Sequence, residues 1–419
     1  MGKSKKSASE PEVFSKPSSH DEGPERFDPA LLAQSAGVRL RYFEKECTIE
    51  HAYLGLACDA VLQAICSPGE GPSLNRLGTM VLIIGPMRVG KTTLINLIEQ
   101  RLFERARERM LADPSHLPSV RVSATGPGSG RFDWVDYYRA VLRQVHNPFV
   151  DRRSPAIRVR DLREAMEEAL IQHQPYAVIV DEAHHLAKAA SGRGLTDQLD
   201  HLKYLENRTG VCHVLVGTYE MKSFRKASAQ LTGRSIDVHF PRYDATKQED
   251  REEFRSVLWA LQRQLPVEEE PLLAQDRWEF LYARSIGCIG LLKLHLIRAL
   301  ALALSENART VTQTHLRATA PSEDRLQEMM SAAFQGEADL IEPEGADERL
   351  LKALGLSVFD DAKVVAESRT SEEATGVPAS GHFSKRSPPG NRKPGRDPAG
   401  AHPAFPTEGD GSDKERAVG

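Results

Sequence analysis

Apolar and polar positions between residues 80 and 240 alternate between two patterns. Short, nearly continuous apolar runs predict buried strands, and the longer segments between them carry apolar residues at helical spacing. The predicted strands are 80–85, 119–124, 176–182, 213–218 and 235–240, and the predicted helices are 91–109, two within 132–145 and 161–173, 195–208 and 219–231. Apolar strands that alternate with amphipathic helices indicate an α/β fold, a parallel sheet with helices on both faces.

The pattern changes on both sides of this region. A helix is predicted at 51–65, before the first strand, and after Pro241 only helical periodicity remains. The predicted helices there are 246–264, 271–284, 288–305 and 312–319. A small all-helical domain is therefore expected to follow the sheet.

Composition sets the expected limits of these parts. Residues 1–26 and 336–419 are poor in large apolar side chains and rich in Ser, Pro, Gly and charge, which is typical of disordered tails. The predicted parts are a disordered tail at 1–26, a helical lead-in at 27–78, an α/β domain at 79–244, a helical lid domain at 245–335 and a mostly disordered tail at 336–419. Within the last tail, the apolar stretch 350–359 is either a short docking helix or a segment without a role, and the basic stretch 384–396 is either a weak DNA tether or a solvated linker.

Overall charge and cysteine content exclude several classes of protein. The 419 residues include 55 Lys and Arg against 59 Asp and Glu, a net charge of −4, which excludes polyanion binding through bulk positive charge. The five cysteines include no CxxC pair, which argues against a disulfide framework or a zinc ribbon. No apolar run reaches the roughly 20 residues of a membrane span. A soluble, cytoplasmic protein is expected.

A phosphate-binding motif lies between the first strand and its helix. Residues 85–92, GPMRVGKT, satisfy the pattern GxxxxGK[ST] in the strand-to-helix context that it requires. Backbone N–H groups of such a loop surround phosphates at the positive end of the helix. Lys91 is expected to reach the β- and γ-phosphates of ATP, and Thr92 to provide a hydroxyl ligand to Mg²⁺. The predicted nucleotide-binding residues are Gly85, Pro86, Met87, Arg88, Val89, Gly90, Lys91, Thr92 and Thr93.

The apolar strand in YAVIVDEAHHL delivers two acids to its carboxyl end. Ligands of open α/β sheets bind at that edge, so Asp181 is expected to hold the Mg²⁺ shell together with Thr92. Glu182 is predicted to polarise the water that attacks the γ-phosphate. His184 and His185 are interpreted as helix-surface or packing residues, since no further metal ligands lie at usable spacing.

The letters DEAH at 181–184 also raise the hypothesis of a DEAH-type helicase. In such enzymes an SAT motif follows the DEAH box, whereas VSAT at 122–125 precedes it in this chain. A second nucleotide-binding domain is also expected after the box, and only helical patterns and tail follow residue 245. This order argues against an unwinding helicase.

Four stretches together resemble the AAA+ ATPases, and within them the TnsC/TniB-type regulators of DNA transposition. They are LIIGPMRVGKTTLI, VIVDEAHHL, VLVGTYEM and GCIGLLKLHLIRAL, and the resemblance covers roughly residues 50–305. It implies that Thr218 is the sensor beside the acidic strand and that Arg234 is the arginine finger that reaches a neighbouring subunit's nucleotide. It also implies that Lys293 is the second sensor, on the lid. Many AAA+ proteins have Asn in place of Thr218, which leaves the hydrolysis rate open.

The same resemblance implies a ring or helical filament that assembles on duplex DNA with ATP, engages a transposase and a target-selection protein, and disassembles on hydrolysis. Such a protein works in the bacterial cytoplasm, at the nucleoid when on DNA. The candidate DNA contacts are Arg131, at the end of the loop 126–131, Arg121 and Lys203. Two other functions stay open: a STAND-type nucleotide switch that binds a protein partner without DNA, and an ATPase that loads a helicase or serves a secretion system.

Overall fold

A parallel sheet forms the centre of the computed structural model, which describes residues 26–66, 80–126, 132–151, 158–188, 193–227, 235–340 and 345–355. Within these ranges the sheet has five strands in the order β2-β3-β4-β1-β5. Every neighbouring pair is parallel. The strands are β1 (Met80–Ile84), β2 (Ser119–Ser123), β3 (Ala177–Asp181), β4 (Cys212–Gly217) and β5 (Ser235–His239).

Helices cover both faces of this sheet because its strands are apolar on both sides. In β1, Met80, Leu82 and Ile84 pack into one core, whereas Val81 and Ile83 pack into the other. The helices up to this point in the chain are α1 (Ala36–Arg41), α2 (Ala52–Ile65), α3 (Lys91–Ala112), α4 (Trp134–Gln144), α5 (Val159–His173), α6 (His184–Lys188), α7 (Arg193–Thr209) and α8 (Lys222–Ala227). The first core includes side chains of α4, α5 and α7, and the second includes those of α2 and α3. The predicted α/β class is confirmed.

The segment after β5 is helical, as predicted, and has a core of its own. Its helices are α9 (Gln248–Arg263), α10 (Leu273–Asp276), α11 (Trp278–Ser285), α12 (Ile289–Ser305), α13 (Gln313–Thr319) and α14 (Glu323–Ala338). The N-terminal lead-in contributes Phe43 and Cys47 to this core. Short non-α turns precede or join these elements at Pro29–Ala33, Tyr42–Glu46, Pro148–Asp151 and Tyr219–Met221.

The helical domain differs from the sequence-based expectation at two places. The helix predicted at 271–284 is divided into α10 and α11, because Arg277 leaves helical geometry with φ −133°. The side-chain oxygen of Gln262 accepts the N–H groups of Leu273 and Ala274, which fixes the start of α10. Helix α14 was not predicted, and it continues past residue 335 to Ala338.

Residues from Pro343 onward form a separate unit, of which 345–355 are described. This part contains α15 (Ala346–Ala353), which includes the first residues of the apolar stretch 350–359. The basic stretch 384–396 lies outside the described residues.

None of the described helices is by itself both long enough and apolar enough to cross a bilayer. Helices α11 and α12 reach that length and apolarity only together, across a bend of 114°.

Candidate active site

A cleft of about 650 Å³ opens at the carboxyl ends of β1, β3 and β4. Parallel strands place these ends at one edge of the sheet, so motifs far apart in the chain meet there. The cleft brings together most of the predicted site residues: Pro86, Met87, Arg88, Gly90, Lys91, Thr92, Thr93, Asp181, Glu182, Thr218 and Lys293. Gly85 and Val89 belong to the same loop behind its surface.

The loop between β1 and α3 presents the start of a long helix to the cleft. Gly90 precedes α3 with φ 119°, a conformation that glycine adopts at little cost, and its carbonyl accepts the N–H of Leu94 at 3.0 Å. No side chain caps this helix start. The first N–H groups of α3 are therefore available to an anion, with the positive end of the helix behind them.

Lys91 lies folded over its own loop. Its Nζ donates to the carbonyl oxygens of Gly85 at 3.2 Å and Pro86 at 2.7 Å. Burial lowers the pKa of Lys91 to about 8, and the nearby carboxylates of Glu182 and Asp181 only partly oppose that shift. Among the described residues no carboxylate is in hydrogen-bond contact with this ammonium, so it is suited to receive an anionic ligand.

The acidic pair lies in a tight turn after β3. The Oδ1 atom of Asp181 accepts the N–H of Glu182 at 2.9 Å, and the N–H of Ala183 donates to Val216 of β4 at 2.8 Å. Glu182 has φ 54°, a left-handed conformation that is costly for a non-glycine residue. Its side chain is half exposed, and its Oε2 lies 3.2 Å from Nδ1 of His184. The turn thus aims a solvent-accessible carboxylate into the cleft.

Thr218, directly after β4, carries an unsatisfied hydroxyl. Its Oγ1 is buried and has no hydrogen-bond partner among the described residues. An unpaired buried hydroxyl costs about 1–3 kcal/mol. Because Thr218 lines the same cleft as Lys91 and Glu182, this cost is relieved by a polar ligand or an ordered water bound there.

The helical domain forms the opposite wall and touches the phosphate loop directly. A Cβ added to Gly290, near the start of α12, would lie 2.6 Å from the carbonyl oxygen of Arg88 and 3.2 Å from the nitrogen of Gly90. Lys293, one turn further on, donates to the carbonyl oxygens of Glu44 at 3.1 Å and Cys47 at 2.6 Å. Burial lowers the pKa of Lys293. Its ammonium lines the cleft while also tying α12 to the lead-in.

Helix α14 completes the wall, and sequence reasoning missed it. Met329, Ala332 and Ala333 line the cleft. The guanidinium of Arg242 pairs with both carboxylate oxygens of Glu337 at 3.0 Å.

Further contacts hold the end of α14 beside the turn Tyr219–Met221, which follows Thr218. Gly336 packs against the ring of Tyr219, and Lys222 donates to the Gly336 carbonyl and lies 3.5 Å from Asp339. The spacing of Leu326, Met329 and Ala333 is a helical signal that was available in the sequence.

His184 and His185 are packed against each other. Their ring centroids are 4.4 Å apart, and His184 is 7% exposed. His184 therefore agrees with a packing residue, and its contact with Glu182 adds a link to the acidic turn.

Two of the candidate DNA contacts, Arg121 and Lys203, lie within the described residues. The third, Arg131, and the candidate arginine finger Arg234 lie outside them. Arg121 is not an open surface cation, because its guanidinium bonds Asp181 at 3.1 Å and Asn96 at 2.8 Å. The side chain of Lys203 is 15% exposed, and its Nζ lies 3.2 Å from Asp200. Neither side chain extends freely into solvent, and Arg121, on β2, is hydrogen-bonded to the acidic turn after β3.

Residues 75–224 match a family model described as an AAA domain. This matched segment contains the phosphate loop, Asp181, Glu182 and Thr218. With the helical region that follows, the chain has the P-loop AAA+ fold. Compared with curated proteins, the chain has no significant match.

Solved structures similar to this chain include three origin-recognition proteins. The Aeropyrum pernix ORC2 protein, in ADPNP and ADP complexes, is 17% identical with a TM-score of 0.47, and the alignment covers 67% of this chain and 70% of that one. The Aeropyrum pernix ORC1 protein in complex with DNA is 19% identical with a TM-score of 0.46, covering 67% and 68%. Drosophila ORC bound to DNA is 12% identical with a TM-score of 0.43, covering 88% and 89%.

Proposed function

We propose that this chain binds ATP with Mg²⁺, hydrolyses it, and uses that cycle to regulate DNA transposition. The observation that carries the ATPase part is the meeting of Lys91, Glu182 and Thr218 in one cleft at the carboxyl edge of the sheet. A buried cation, an accessible carboxylate and an unpaired hydroxyl are the groups that phosphate binding and water activation require.

Each residue has a role in this proposal. The loop N–H groups and Lys91 bind the phosphates, and Glu182 orients and polarises the attacking water. The Thr218 hydroxyl hydrogen-bonds that water or the γ-phosphate. Thr92 and Asp181 hold Mg²⁺, which neutralises charge on the phosphates when bound. The uncapped start of α3 and the unpaired Thr218 hydroxyl both fit such a ligand.

Two substitutions test the chemistry. Lys91→Ala removes nucleotide binding, whereas Glu182→Gln keeps binding and slows turnover by about 10²- to 10⁴-fold. Glu104→Gln is the matched control, since this exposed glutamate bonds Gln100 on the outer side of α3. Binding is measured with a fluorescent ATP analogue and turnover by phosphate release. Normal hydrolysis by Glu182→Gln would show that another residue activates the water.

The transposition part of the proposal is supported by the sequence resemblance to TnsC/TniB-type regulators. On that basis the protein self-associates into a ring or filament on duplex DNA, and Arg234 completes a neighbour's site. It then recruits a transposase, with a target-selection protein as a further partner. Such a protein acts in the bacterial cytoplasm, where ATP and the target DNA are found.

Assembly on DNA is the decisive experiment. The purified chain with a nonhydrolysable ATP analogue and duplex DNA is expected to form rings or filaments by negative-stain microscopy. The fraction of protein that sediments with the DNA is expected to fall steeply as the salt concentration rises, because the protein contacts DNA phosphates. Lys91→Ala is the control without nucleotide. If the protein binds and hydrolyses ATP but does not assemble on DNA at low salt, the transposition proposal fails while the ATPase proposal stands.

A further inference from the structure

Arg121 connects Asp181, the proposed Mg²⁺-binding acid of the cleft, to helix α3. It lies on β2, where Val120 and Val122 point into one core and Arg121 points to the other face of the sheet, toward α3. Its Nη2 donates to Oδ2 of Asp181 at 3.1 Å, and its Nη1 donates to Oδ1 of Asn96 at 2.8 Å and lies 3.4 Å from Oε2 of Glu99. The guanidinium thus bridges two elements that both border the phosphate site.

This contact occupies a carboxylate oxygen of Asp181 that a metal ion would also need. Oδ1 of Asp181 accepts the N–H of Glu182, and Oδ2 accepts from Arg121. The side chain of Asp181 is 15% exposed and that of Arg121 is 29% exposed, so water screens the pair only partly. The permanent positive charge of the Arg121 guanidinium beside Asp181 lowers the attraction of that carboxylate for a divalent cation.

Arg121 has further partners on α3, so its guanidinium can leave Asp181 without losing all of its contacts. Nη1 of Arg121 is already held by Asn96, and Glu99 supplies a carboxylate on the same helix. Burial raises the pKa of Glu99, and Arg121 is the cation that opposes this shift. The guanidinium therefore retains two partners when it releases Asp181.

We propose that Arg121 is a positioning residue that holds Asp181 in the nucleotide-free protein and thereby raises the Mg²⁺ concentration that the site requires. The inference rests on the proposed binding of ATP with Mg²⁺, and it adds a competition between a protein cation and the metal. Loss of the guanidinium frees the charge of Asp181 for the metal. Removal of the Arg121 charge is therefore expected to lower the Mg²⁺ concentration that nucleotide binding requires. If Arg121 only oriented Asp181, its removal would instead weaken metal binding.

The test measures metal-dependent binding and needs no turnover. Fluorescent ATP-analogue binding is titrated with Mg²⁺ for the full chain, Arg121→Met and Arg121→Gln. In both neutral variants, nucleotide binding is expected to reach half of its maximum at an Mg²⁺ concentration about tenfold lower than in the wild type. Arg121→Lys keeps the charge and is expected to stay near the wild type. Arg101→Met is the matched control, because Arg101 on α3 pairs with Glu50 and Glu104, and neither of these lines the cleft.

A second readout contains neither metal nor nucleotide. Urea unfolding of Arg121→Met, Asp181→Asn and the double variant gives the coupling between the two side chains, and the proposal requires a favourable coupling. An unchanged or higher Mg²⁺ requirement in both neutral variants, or zero coupling, would overturn the inference. If the wild-type chain bound no nucleotide at any Mg²⁺ concentration, the proposed function itself would fail.

Discussion

The depressed pKa of Lys91 predicts an unusual pH dependence of nucleotide binding. Burial brings this pKa from 10.5 to about 8 in the nucleotide-free protein. A bound polyphosphate favours the charged ammonium and raises the pKa again. Below pH 8 the lysine is already protonated and binding needs no proton, whereas above pH 8 each binding event must take one up.

The size of the effect follows from these two values. Affinity is expected to be flat from pH 7 to about pH 8 and then to fall by up to tenfold per pH unit, which is about 1.4 kcal/mol. A lysine with the ordinary pKa of 10.5 would give no decline in this range. Between pH 7 and pH 9 the predicted loss is therefore about tenfold, well within the range of a binding assay.

Isothermal titration calorimetry supplies the assay. At pH 9, titration of ATP and Mg²⁺ in buffers of different ionisation enthalpy should show uptake of nearly one proton, and at pH 7 almost none. Lys91→Arg is the control, because a guanidinium stays charged throughout and should show no uptake even where its affinity is lower. Equal proton uptake at pH 7 and pH 9, or uptake that persists in Lys91→Arg, would refute the assignment to Lys91.

Three further predictions concern the walls of the cleft. Glu182→Gly should be more stable to urea than Glu182→Ala by about 1 kcal/mol, because only glycine relieves the left-handed backbone; equal midpoints would argue against strain. Gly290→Ala should fold with unchanged far-UV circular dichroism but bind nucleotide at least tenfold more weakly, since the new methyl group meets Arg88 at 2.6 Å; unchanged affinity would show that the two walls separate freely. Arg242→Ala and Glu337→Ala should each destabilise the chain, with a coupling of about 1–3 kcal/mol in urea unfolding, and additive effects would place α14 elsewhere.

Local patterns were sufficient for the sheet, the phosphate loop and the acidic turn. Each strand, with the loop that follows it, is encoded within about 20 consecutive residues: an apolar run fixes the strand, and the glycines or acids after it mark the edge where ligands bind. The strands end one residue before the predicted positions, as at Ile84 and Asp181, because the apolar runs stop where the chain reaches the cleft.

Contacts between distant segments were beyond local reasoning. Arg121 looks like any exposed strand cation in the sequence, and only the pairing of β2 with β3 brings it to Asp181. Glu337 stands in an acidic stretch that suggested a tail, yet Arg242, on the segment after β5, draws it into the wall of the cleft. In both cases the partner is an ion that the periodicity of the chain does not reveal.

The site groups share one property that links folding to binding. Glu182 keeps a left-handed backbone, the Thr218 hydroxyl is buried without a partner among the described residues, and Lys91 is a cation shifted by burial. Each of these states costs folding free energy in the nucleotide-free protein, and the last two are relieved by an anionic ligand. Ligand binding in the cleft therefore also stabilises the folded protein. A ligand present at 100 times its Kd adds about 2.7 kcal/mol to the free energy of unfolding. Since residues of both walls line that cleft, this free energy acts on the junction between the sheet and the helical domain.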